Sequence, residues 1–135
     1  MTHLFKIVST SQRVSRTRSR LQKIDQLATC LRLLAPSEIQ IGAAYLAGDL
    51  PQGRMGIGPA LLKGAMPDQA SAKPSLTLEH VDSVLTRIGK TTGTGSNLER
   101  RQLLGALLTE ATPEEQKFLR ILPRPNQRNP LPALG

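Results

Sequence analysis

The sequence predicts an all-α fold: a compact multi-helix domain that carries two glycine-rich reverse turns. Apolar residues recur at spacings of three and four along most of the chain, the repeat of a single buried helix face. Helix starts are written into the sequence, with Ser19, Ser37, Thr77, Ser96 and Thr112 each standing ahead of such a run. No segment alternates apolar and polar residues convincingly. The stretch "LFKIVS", residues 4–9, comes nearest to a strand and is short.

In the first clear helix Leu21, Ile24, Leu27, Ala28, Leu31 and Leu34 make one apolar face, Ser19 and Gln22 form its capping box, and Pro36 ends it. Ser37 with Gln40 starts a second helix through Ile39, Ala43, Ala44 and Leu46, which stops at a turn over 48–51. A short helix over 58–64 follows. The stretch "MPDQASAKPS", 66–75, has two prolines and no apolar period, so it reads as a linker. Thr77 opens the next helix, with Val81, Val84, Leu85 and Ile88 inward and Gly89 at its end. Ser96 and Glu99 form a capping box ahead of Leu103, Leu104, Leu107 and Leu108. Thr112-Pro113-Glu114-Glu115 is the strongest start signal: a capping Thr, Pro at the first helical position and Glu at the third. Phe118, Leu119 and Leu122 follow it. The last stretch, "PRPNQRNPLPALG", holds four prolines in thirteen residues. It reads as a disordered tail, 123–135, after a helical domain of residues 1–122.

Length and composition bound the function. The 135 residues make one domain, able to bury roughly two-thirds of the surface its unfolded chain exposes. Hydrophobic content of 39% and charged content of 21% are those of a soluble globular protein. The single cysteine, Cys30, cannot form an internal disulfide, which fits a reducing compartment. His3 and His80 lie far apart and give no metal-site spacing, so no metal is expected. With no apolar h-region at its start and no long apolar run, the protein is expected in the cytoplasm, at the nucleoid, with no membrane partner.

The net charge is +8, and its placement matters more than its total. Residues 1–34 carry +6 and residues 83–108 carry +3, on either side of a middle, 35–82, at −2. Such surfaces attract polyanions. Phe5, Tyr45 and Phe118 are the only aromatics, too few to stack the bases of single strands. Duplex backbone, met by charge and main-chain N–H groups, needs none. Duplex DNA is the expected partner and a monomer the expected state. A solvated basic surface, or one that binds an acidic protein, is the alternative reading of the same charge.

Two helix–glycine loop–helix units stand out. In "GKTTGTGSNLERRQ", 89–102, Gly89-Lys90-Thr91 looks like the end of a nucleotide-binding loop. Val84, however, occupies the place of the first glycine, and a helix precedes the loop where a strand is required. Two readings stay open: a capped turn between helices, or a phosphate cradle. In the second, Gly93 and Gly95 allow close approach, Ser96 begins a helix whose free N–H groups favour an anion, and Arg100 and Arg101 lie one turn in. "LPQGRMGIGPALL", 50–62, repeats the arrangement with Gly53, Gly56, Gly58 and Arg54. Two such loops on one face could hold two phosphate strands across a groove. Other candidates are bland: His80 beside Glu79 and Asp82 reads as a rim residue, Cys30 as packing, and Met55 and Met66 as gap-fillers.

The strings "GDLPQGRMGIG", "LTRIGKTTGTGSNLERRQLLGALLTEATPEEQKFLRIL" and "TRSRLQK" resemble the N-terminal DNA-binding domain of ATP-dependent DNA ligases, bacterial ones especially. The likeness runs from about Leu4 to Leu122, in the same order and at similar separations. It implies an all-helical domain that binds nicked duplex across the minor groove, its two reverse turns on the sugar-phosphate backbone, in replication, repair or recombination. On matching positions the phosphate contacts would be Arg54, Gly56 and Gly58 in the first turn. In the second they would be Gly93, Gly95 and Ser96, with Arg100 and Arg101. Ser19, Arg20 and Lys23 match the family's early basic helix as further DNA contacts.

The sequence also departs from the family. Ligases carry their lysine nucleophile in Lys-x-Asp-Gly; the nearest string here, Lys23-Ile24-Asp25-Gln26, lacks the glycine and lies inside a helix. No catalytic residue is therefore expected in this chain, and no cofactor; ATP and Mg²⁺ would belong to a separate catalytic part. The chain reads as a truncated ligase, a split gene product or an excised domain. A small basic nucleoid-associated or regulatory DNA-binding protein is the alternative.

Overall fold

The structure, a computed structural model, describes residues 1–52 and 57–122. Arg54, Met55 and Gly56, together with the expected tail 123–135, lie outside the described residues. Within them the protein is all-α. The described residues form seven helices: α1 (Leu4–Arg16), α2 (Arg20–Arg32), α3 (Pro36–Leu46), α4 (Pro59–Ala65), α5 (Leu78–Lys90), α6 (Ser96–Thr109) and α7 (Pro113–Ile121).

The segment that looked most like a strand is the first half of α1. Its β-branched residues suggest a strand locally, but Leu4, Ile7, Val8 and Val14 all face the core at helical spacing, and that burial decides. Strand-like pairing is confined to the residues just ahead of it. His3 bridges Thr77. The Leu4 N–H donates to the Leu76 carbonyl (2.8 Å) and the Leu78 N–H to the Thr2 carbonyl (2.9 Å), tying the start of α1 to the start of α5.

Packing runs through α1 and α5. α1 touches α2, α3 and α7; α3 touches α5; and α6 touches both α5 and α4. Between them sit Ile7, Val8, Tyr45, Leu76, Leu85, Ile88, Leu104 and Leu108, all essentially buried. Tyr45 meets Phe118 edge-on at 6.4 Å, so two of the three aromatics pack against each other and only Phe5 is exposed. Cys30 is buried packing.

Several boundaries differ from the sequence reading. The α2 stripe is buried only at its C-terminal end; Leu21 is 79% exposed and Ile24 44%. Pro36 does not so much end α2, which stops at Arg32, as open α3 from its first position, where its missing N–H costs nothing. Ser37 is not the cap of α3. The Glu38 carboxylate accepts instead from the Ala35 N–H (3.0 Å), the Thr2 hydroxyl (2.8 Å) and the Thr2 N–H (2.7 Å). Burial pushes the Glu38 carboxyl up, but these hydrogen bonds and the N-terminal positive charge outweigh it and hold the group below its ordinary value. α5 runs one residue beyond Gly89. Ser19, Thr77 and Thr112 cap as the sequence indicates, accepting from the N–H groups of Gln22, His80 and Glu115.

Candidate nucleic-acid interface

The chain entering the first glycine-rich stretch is tied to the middle of α5, and the second turn follows the C-terminal end of the same helix. The first leaves α3 where the Gly48 and Asp49 N–H groups turn back to the Tyr45 (3.0 Å) and Ala44 (2.8 Å) carbonyls, closing the helix end. The chain then buries Leu50 and sends Gln52 across to α5. Gln52 Nε2 donates to Asp82 Oδ1 (2.6 Å), to Thr86 Oγ1 (3.0 Å) and to the Asp82 carbonyl (3.3 Å). Thr86 lies four residues, about 6 Å of helix rise, before Lys90, where the second turn begins. Tyr45 lies buried in the same region. Burial, reinforced by the Asp82 charge, pushes its hydroxyl well above the ordinary value, and that oxygen has no hydrogen-bond partner.

In the second turn Gly93 has φ +94° and Gly95 φ +80°, the left-handed region that side-chain-bearing residues avoid. A Cβ at either would meet nothing within 4 Å, so backbone conformation, not crowding, asks for glycine. Gly95 is itself the cap position of α6, one residue earlier than the capping box read from Ser96 and Glu99, and no side chain caps the helix. The left-handed Gly95 turns the chain into the helix directly, which makes Ser96 the first helical residue. The Ser96 N–H donates to the Gly93 carbonyl and the Glu99 N–H to the Gly95 carbonyl, each at 3.2 Å. The N–H groups of Asn97 and Leu98, on two exposed residues, are left as the unpaired donors of the helix start.

The two arginines have different surroundings. Arg100 folds back over the turn, donating from Nε (3.1 Å) and Nη2 (2.9 Å) to the Thr91 carbonyl, so its charge stands beside the loop and holds it. Arg101 is exposed and runs over Gly64 of α4, where a Cβ would come 3.1 Å from its Cδ. A little further along, a Cβ on Gly105 would meet the Ala65 carbonyl oxygen at 3.2 Å. Small residues thus let α6 lie close to α4, the helix that follows the first turn. Arg87 and Lys90 add charge in the last turn of α5.

Of the residues the sequence singled out, the structure gathers Gly93, Gly95, Ser96 and Arg100 at the start of α6 and places Arg101 between α6 and α4. Gly58 has φ −98° and ψ 177°, extended backbone at the cap position of α4. Arg54 and Gly56 lie outside the described residues. Ser19, Arg20 and Lys23 are on or just before α2, whose principal partners are α1 and α3. His80 faces Glu110 at 3.6 Å, both side chains about half exposed, a pairing worth little. Sequence reasoning missed Gln52, Asn97 and Leu98. The double glycine before Ser96 is a signal for the last two; Gln52 has none, because its partners are thirty and more residues away.

Among the described residues no group of three or more His, Cys, Asp or Glu could hold a metal ion, and no helix is long and apolar enough to cross a membrane.

Residues 62–123 match the family model described as DNA ligase N terminus. A probable DNA ligase of Anaeromyxobacter sp. (strain Fw109-5) is 47% identical over 117 residues, covering 86% of this chain and 22% of that protein. Probable DNA ligases of Streptomyces avermitilis (44% over 117 residues, 87% and 22%) and Sorangium cellulosum (42% over 113 residues, 83% and 21%) are similar to the same extent. The chain therefore spans between a fifth and a quarter of the length of the curated relatives it matches. No solved structure matches it significantly. All-helical architecture, the family match across α4 to α7 and these identities agree: residues 62–123 belong to the DNA ligase N-terminal family, and most of the chain is similar to part of these probable DNA ligases.

Proposed function

We propose that this domain binds duplex DNA without sequence preference, through backbone phosphates across the minor groove, as the DNA-binding module of an ATP-dependent DNA ligase that works at nicks. The observation that carries the reading is the start of α6. A helix left uncapped, entered through two left-handed glycines, offers the unpaired N–H groups of Asn97 and Leu98 beside Arg100 and Arg101. Such a start combines donors, a dipole and fixed positive charge, which suits a phosphate oxygen. Gly93, Gly95 and Ser96 would shape that cradle. Arg54, Gly56 and Gly58 would supply the second strand's contacts, with Ser19, Arg20 and Lys23 reaching further along the backbone. Contacts of this kind fix register but carry no base information.

Chemistry at the nick would come from a catalytic part with its own lysine, ATP and Mg²⁺; this chain would hold the DNA as a monomer and form no lysine–AMP bond. The test is equilibrium binding of nicked, intact and scrambled duplexes over a range of salt. Each neutralised phosphate contributes about 0.9 to the slope of log K against log salt. A steep slope shared by all sequences supports the reading, as does preference for the nick once a ligase catalytic part is added. Tight selection of one sequence, or a labelled AMP adduct on this chain after incubation with ATP and Mg²⁺, would overturn it.

A further inference from the structure

We propose that Gln52 is a positioning residue: it ties the entry to the first glycine-rich turn to the middle of α5, the helix whose end launches the second, so that both turns meet one duplex in a set relation. The inference rests on the DNA-binding reading above and adds to it how the two turns are held in register.

Three oxygens converge on Gln52 Nε2: Asp82 Oδ1, the Asp82 carbonyl and Thr86 Oγ1. The first two can only accept, so the place calls for a donor, and the side-chain amide supplies it. The oxygen of the same amide is buried with no partner. Leaving a buried acceptor unpaired is costly, so the site keeps this side chain for its nitrogen. The chain on either side is held too, since Leu50 and Ile57 are 8% and 3% exposed. The second turn is held by a separate clamp, Arg100 on the Thr91 carbonyl. Both clamps therefore bear on one helix, Gln52 on the middle of α5 at Asp82 and Thr86 and Arg100 on Thr91 just past its end. A duplex presents its two backbones at fixed separation, so turns fixed to one rigid helix pay less ordering entropy on binding than turns that must find their places.

Two changes isolate the donor. Gln52→Glu keeps the shape, replaces the amide nitrogen by a carboxylate oxygen and sets it against Asp82. Combining it with Asp82→Asn returns a donor to the pair and restores the net charge, so any loss caused only by added negative charge near DNA is cancelled. Gln52→Met removes the donor without adding charge and serves if Gln52→Glu does not fold. Binding of the full chain to a nicked duplex is read by fluorescence anisotropy across salt, with thermal melting by circular dichroism as the folding control. Gln52→Glu and Gln52→Met should bind roughly tenfold more weakly and lose about one unit of salt slope, as when one phosphate contact goes. The Gln52→Glu/Asp82→Asn pair should recover most of both. A folded Gln52→Met with the wild-type affinity and slope would overturn the inference while leaving the DNA reading standing, as would a charge-restored pair no better than Gln52→Glu alone. A wild-type chain with no salt-dependent affinity for duplex would overturn both.

Discussion

The starts of α6 and α7 lie seventeen residues apart in sequence, between Ser96 and Pro113, and are built in opposite ways. At α7 the helix start is closed by its own side chains, with only Glu115 Oε2 left buried without a partner. Thr112 accepts from the Glu115 N–H (3.3 Å), Glu115 Oε1 accepts from the Thr112 N–H (2.8 Å), Pro113 has no N–H to satisfy, and the site is buried. At α6 glycine replaces the capping side chain, the site faces solvent, and a single first-turn acid, Glu99, is followed by Arg100 and Arg101 where α7 has Glu114 and Glu115 in its first turn. A helix start that satisfies itself holds the fold together. One that leaves its donors open, beside fixed positive charge, is built for an anion brought from outside.

The comparison can be broken most forcefully at α7. Glu115→Ala should cost on the order of 2–4 kcal/mol, since it leaves the buried Thr112 N–H unpaired and a void behind it. Thermal unfolding should show the loss, while DNA affinity, measured well below the melting temperature, should stay close to wild type. At α6 the balance should reverse. Gly95→Val places a β-branched residue at φ +80°, which L side chains strongly resist. Duplex affinity should fall about tenfold or more, equivalent to a contact of roughly 1.4 kcal/mol, with the remaining helices still folded by circular dichroism. Gly95→Asn sharpens the point, because Asn tolerates the left-handed region: affinity within about twofold of wild type would show that conformation, not the missing side chain, is what the turn requires.

Glu38 provides a smaller, pH-dependent effect away from either helix start. Its carboxyl is held below its ordinary value in the folded state, so the charged form contributes stability above the unfolded value and that contribution fades as pH falls through the lowered one. Wild type should exceed Glu38→Gln by about 1 kcal/mol near neutrality, and melting curves taken in acid should bring the two together. A gap that stays constant through acid would assign the difference to shape alone.

How legible these features were in the sequence follows their range. The α7 start is four adjacent residues, Thr112 to Glu115, and each does what its type suggests. The α6 start was read one residue late. Ser96 with Glu99 has the form of a capping box, but the sign of φ at Gly95, which no composition reveals, moves the cap forward. The α3 start was misassigned for a non-local reason: Glu38 is claimed by Thr2, thirty-six residues away, and by the Ala35 N–H, leaving Ser37 to donate to Glu79 (3.1 Å). α1 was ambiguous because Ile7 and Val8 favour strands locally, and only its packing against α2, α3 and α7 settles it. The link between the entry to the first glycine turn and α5 depends on Gln52 reaching Asp82 and Thr86, a contact that local periodicity does not encode.

The central claim is that the α6 start, and not basic charge in general, holds the DNA backbone. It is tested by removing two positive charges from each helix and comparing the salt dependence of binding to one nicked duplex. Arg100→Ala/Arg101→Ala removes them at the α6 start; Lys117→Ala/Arg120→Ala removes two exposed charges from α7. The net charge of the two variants is the same. With folding verified by circular dichroism, the α6 pair should lower the slope of log K against log salt by about one to two units and the α7 pair should leave it near wild type. Equal losses from both pairs, or an unchanged slope in a well-folded α6 pair, would contradict the account.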